Sequence, residues 1–79
     1  KKHVTPKAAS HVLFMFRTGE GTPPGSFNLN LLKAFAHADP TNYARLRKAF
    51  PAEGAAMWLA QNVIGGINIL RNITEGNEA

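Results

Sequence analysis

Residues 26–51, Ser-Phe-Asn-Leu-Asn-Leu-Leu-Lys-Ala-Phe-Ala-His-Ala-Asp-Pro-Thr-Asn-Tyr-Ala-Arg-Leu-Arg-Lys-Ala-Phe-Pro, decide the fold. Asp39-Pro40 splits the stretch in two. A side-chain acceptor followed by proline is a helix start: the carboxylate receives a free backbone N–H, and the missing N–H of proline is harmless at the first helical position. Pro51 repeats the proline signal after Phe50. Two helices are therefore expected, over 26–38 and 40–50, with Ser26 capping the first. In projection Tyr43, Leu46 and Phe50 fall within about 60° of one another, and Arg45 and Lys48 point the opposite way, as on an amphipathic surface helix. The 26–38 segment is more apolar. Phe27, Leu31, Ala34, Phe35 and Ala38 make one face, Leu29, Leu32 and Ala36 extend it round the back, and Asn30, Lys33 and His37 leave only a narrow polar stripe. Such a helix is central in a bundle or partly covered by another chain.

The same punctuation extends outward. Thr5-Pro6 predicts a helix over 6–18 that ends before Gly19 and Gly21. Pro51 opens a helix over 51–64, with Ala52, Ala56, Leu59 and Val63 on one face. Gly65-Gly66 separates it from a last helix over 67–74. The expected architecture is all-α, a small bundle of four to five short helices forming a single domain over residues 1–79. Residues 1–4 are expected to be a flexible basic end and residues 75–79 a flexible tail. The chain has 79 residues and no cysteine, so neither disulfides nor thiolate metal sites support the fold. A core of this size buries only about 60% of the extended-chain surface, which leaves little to support a deep catalytic cleft.

The chemistry points away from catalysis. The three histidines and five acidic residues show no nucleophile–base pairing and no His-x-x-x-His spacing. Asp39 is used as a cap, and Glu53 complements a helix dipole. The glycine pairs lack the spacing of a phosphate loop or a dinucleotide fingerprint. No enzyme activity, cofactor or metal is expected. No apolar run approaches the roughly 20 residues a membrane-spanning helix needs, and the cytoplasm is the expected location.

Contact surfaces are more legible. Phe14 projects among Lys7, Ser10, His11 and Arg17, and Trp58 among Gly54, Gln61 and Asn62, each off its helix's main apolar face. Buried aromatics are common interface anchors. Phe14, Trp58, Leu29 and Leu32 are therefore the expected partner-binding residues, on a surface that meets another protein or a second copy of the chain. Nine Lys and Arg against five Asp and Glu leave a net charge of +4. Arg45, Arg47 and Lys48, with Lys7, offer an alternative: a basic surface for nucleic acid.

Pro24-Gly25-Ser26-Phe27, Leu31-Leu32, Ala34-Phe35, Ala38-Asp39, Asn42, Leu46 and Phe50-Pro51 form a pattern that resembles small accessory proteins of tailed phages infecting Actinobacteria. The resemblance covers residues 22–51. It implies a non-enzymatic protein of the host cytoplasm that acts by binding a host protein. It carries no functional residue with it.

Overall fold

In a computed structural model describing residues 4–17 and 19–76, the chain forms five α-helices and, among the described residues, no strand. They are α1 (Pro6–Phe16), α2 (Ser26–His37), α3 (Pro40–Ala49), α4 (Pro51–Asn62) and α5 (Gly66–Thr74). The first four stop one or two residues short of the expected ends. Before each proline the chain must leave the helical region, because the proline ring clashes with the preceding residue. Asp39 is accordingly extended (φ −72°, ψ 172°), and Phe50 has φ −132° and ψ 72°.

The starts follow the capping logic with one correction. Thr5 Oγ1 accepts the Ala8 N–H at 3.1 Å, and Asp39 Oδ1 accepts the Asn42 N–H at 2.8 Å. Ser26 is not a cap. Gly25 holds that position without a side-chain hydrogen bond, and Ser26 is the first helical residue. The Asn42 Oδ1 accepts from Arg45 Nη1 at 3.5 Å. Asp39→Ala should cost about 1 kcal/mol, which lowers Tm by roughly 4–8 °C in a domain of this size. A calorimetric scan of the variant beside the wild type measures this, and unchanged melting would show that the cap contributes nothing.

The core joins four of the five helices. Ala8, Ala9 and Val12 come from α1, Leu31, Leu32 and Phe35 from α2, Ala56 and Met57 from α4, and Leu70 from α5. Helix α1 packs most extensively on α5 and α4; α3 packs on α4 at the periphery and contributes no fully buried residue. Small residues set these distances. Gly54, Ala55 and Ala56 line the buried side of α4, and a Cβ on Gly54 would lie 2.8 Å from Arg47 Cγ. Helix α3 can therefore lie close against α4, held by Tyr43, Leu46 and Phe50.

Val4 is half-buried and packs against the core, while residues 1–3 lie outside the described residues. Glu75 and Gly76 close the end of α5 with N–H bonds to Arg71 O (3.1 Å) and Ile73 O (2.9 Å), while residues 77–79 lie outside the described residues.

The loop after α1 is tied down by a contact between residues distant in sequence. Glu20 and Arg71 pair in two places, Nε to Oε1 at 2.6 Å and Nη2 to Oε2 at 3.1 Å, and Arg71 Nη1 also donates to Asn68 Oδ1. The hydrogen bond from Arg71 holds the Glu20 carboxyl below the usual carboxylate range, and the guanidinium charges of Arg71 and Arg17 act in the same direction. A lowered folded-state pKa means that this contribution to stability is present above the unfolded-state value and is lost as pH falls through the folded one. The Tm difference between wild type and Glu20→Gln should therefore be measurable at neutral pH and shrink below about pH 4. Added salt should reduce it as well, because both side chains are partly exposed. A difference independent of pH would show that the pair does not act through charge.

Candidate interaction surface

An open groove lies where the end of α2, the first two turns of α3 and the second half of α4 meet. It has a volume of about 620 Å3. Its lining includes Phe35 and Ala36 from α2, Tyr43, Ala44 and Arg47 from α3, and Trp58, Gln61 and Asn62 from α4, with Ala38 and Pro40 from the turn. Three aromatic rings run through it in sequence. Phe35 meets Tyr43 edge-on with centroids 5.4 Å apart, and Tyr43 meets Trp58 at 6.2 Å and a 57° tilt. Such pairs add stability beyond their buried area.

Tyr43 holds the series in place. Its hydroxyl donates to Gly54 O at 2.7 Å, which ties α3 to α4 beside the groove. Burial pushes the Tyr43 phenol up from its ordinary pKa, and the Arg47 charge opposes that shift. The phenol is therefore a neutral donor at physiological pH, with the Arg47 cation close by. Phe35 is fully buried, so it supplies the floor, whereas Trp58 is 45% exposed and offers ring surface to solvent.

The expected partner-binding residues separate on this structure. Trp58 lies at the groove, and Leu29 is half-buried on α2. Leu32 is a correction: at 1% exposure it lies inside the chain's own core and needs no outside partner. Phe14, like Leu29, is half-buried. The loop after α1 folds back on that side of the helix, with the Thr22 N–H on Ser10 O at 3.3 Å and Ser10 Oγ donating to Thr22 Oγ1 at 3.0 Å. Projection of α1 alone could not show this cover. The exposed aromatic of α1 is Phe16.

Phe27 also leaves its expected apolar face. It is 66% exposed, with its ring 6.1 Å from that of Phe50. The connection from α4 to α5 presents Val63 and a fully exposed Ile64, directly after the groove residues Gln61 and Asn62. Gly65 makes that turn possible, since its φ of +80° is a conformation that side chains disfavour.

Arg45, Arg47 and Lys48 are exposed on α3, and Arg47 alone among them lines the groove. Lys7 is exposed on α1, which makes no extensive interface with α3. His11, also on α1, is half-buried. Burial and the Lys7 charge lower its pKa, while Glu53 of α4 acts in the opposite direction.

No family model, curated protein or solved structure matches the chain. The geometry carries the functional reading. Among the described residues, no three His, Asp or Glu side chains converge as metal ligands, and no helix is long and apolar enough to cross a membrane.

Proposed function

We propose that the protein is a non-enzymatic interaction module that receives a segment of a partner protein in the groove between α2, α3 and α4. One observation carries this reading: Trp58 presents part of its ring to solvent from a position set by Tyr43, which is itself bonded to the α4 backbone. A large aromatic on a rigid support is an effective anchor, because little conformational freedom is lost when a partner covers it. The adjoining Val63 and Ile64 extend the apolar surface beyond the groove. The resemblance of residues 22–51 to accessory proteins of actinobacterial phages suggests the setting, a host cytoplasm and a host protein as partner.

A photo-crosslinking side chain at Gln61, on the groove wall, tests the reading against the same group at Asn72 on α5. The expected result is a partner adduct from Gln61 only, lost on Trp58→Ala. Equal labelling from both positions, or labelling that survives Trp58→Ala, would remove the groove from the account.

A second reading, nucleic-acid binding, has its support in Arg45, Arg47 and Lys48, which have no acidic partner among the described residues. Retention of nucleic acid that falls steeply with added salt would favour it.

A further inference from the structure

We infer that the groove's occupant is an acidic amphipathic helix, with an apolar side chain seated on Trp58 and a carboxylate one turn away on Arg47; this rests on the groove reading above. The charge around the groove points to it. Arg47 is the only charged side chain in the lining. Its stem lies against Gly54, and its charge acts on the Tyr43 phenol. Among the described residues the one ion pair is Glu20–Arg71, so Arg47 has no carboxylate of its own. Asp39, between the lining residues Ala38 and Pro40, already accepts the Asn42 N–H as a helix cap. The net charge of +4 adds a long-range attraction for an acidic partner.

The same features set the other occupants aside. Arg45 projects from α3 about 100° beyond Ala44, the far edge of the lining, and Lys48 about 40° beyond it, so neither is part of the lining itself. One cation beside an apolar floor suits a single carboxylate, whereas a nucleic-acid strand brings a phosphate at every nucleotide and binds along a basic track. A second copy would bring its own +4, and a two-fold contact through this groove would bring one Arg47 toward the other. The described fold has no strand edge to which an extended peptide could add, so an occupant docks here through its side chains. A helix presents an anchor and a carboxylate on one face at a spacing of three or four residues.

Selection from displayed helical peptides of about 16 residues, roughly four turns, tests this. Leucines form one face, and Glu, Lys or Ser vary at the flanking positions. The wild-type protein should enrich Glu one turn from the anchor leucine, and Arg47→Glu should enrich Lys there. For the best selected peptide, titrated by Trp58 fluorescence, Arg47→Gln should weaken binding about threefold and Arg47→Glu about tenfold. Arg47→Gln retains much of the stem that packs on Gly54, and its melting curve checks that the fold is kept. Enrichment without charge preference, or a preference unchanged in Arg47→Glu, would overturn the acidic assignment and leave the groove reading intact. Failure to enrich any peptide while the Gln61 crosslink persists would overturn the helix assignment alone. Loss of that crosslink would remove the groove reading with it. Binding of an oligodeoxythymidylate at the groove, or sedimentation of the free protein as a dimer that occludes Trp58, would overturn the proposal in favour of those occupants.

Discussion

Phe35→Ala is expected to remove a large part of the protein's stability. Phe35 is a large, fully buried side chain, and it is the only aromatic among the largest of these. Its removal should cost about 3–5 kcal/mol, from lost transfer energy and from the cavity left behind. A chain of 79 residues has a total stability of roughly 4–12 kcal/mol, so one substitution consumes a large part of it. The Tyr43 ring would lose its edge-on partner as well, and with it part of the support for Trp58. Urea unfolding followed by circular dichroism measures the loss. A cost below about 1 kcal/mol would show that the surrounding helices collapse into the vacated space, at odds with the spread of costs seen at rigid core sites.

The second large effect is expected at Gly66. A Cβ there would lie 1.8 Å from Leu59 O and 2.6 Å from the Leu59 carbonyl carbon. Both atoms belong to the α4 backbone, so no side-chain rotation can make room. Gly66→Ala must push the start of α5 away from α4, and overpacking of this kind typically costs 1–3 kcal/mol or more. Leu70, buried one turn along α5, would move with it. The expected fall in Tm is on the order of 10–20 °C. Gly25→Ala is the comparison: no atom lies within 4 Å of a Cβ there, so it should cost only what losing glycine at the α2 N-cap costs, up to about 1 kcal/mol. Equal melting of the two variants would contradict the close approach of α4 and α5.

The five helices were legible because their signals are local. Thr5-Pro6, Asp39-Pro40 and Pro51 act through groups within a few residues, so the sequence carries the whole cause. The Tyr43, Leu46 and Phe50 face was legible for a related reason. Helix α3 has one neighbour of substance, α4, and a single apolar stripe then describes its burial.

Where a helix is covered from more than one side, projection failed. Helix α1 is enclosed by α4, α5 and its own following loop, so Phe14 is half-covered while Phe16 is exposed. Leu32 sits on the back of the predicted apolar face of α2, yet it is buried and Phe27 is not. The angle at which α2 meets its neighbours selects Leu31, Leu32 and Phe35 for the core, and no residue within α2 encodes that angle alone.

Sequence by itself determined the helices, their starts and the surplus of basic charge, because caps, prolines and charge act at short range or simply add. Only the tertiary structure decided which apolar residues remain outside and which polar ones meet. The Glu20–Arg71 pair joins residues 51 positions apart, and the groove draws its lining from three helices. Both depend on relative helix positions, which packing of the whole chain sets: the steric limits at Gly54 and Gly66, the volume of Phe35 and Met57, and the loop lying against α1.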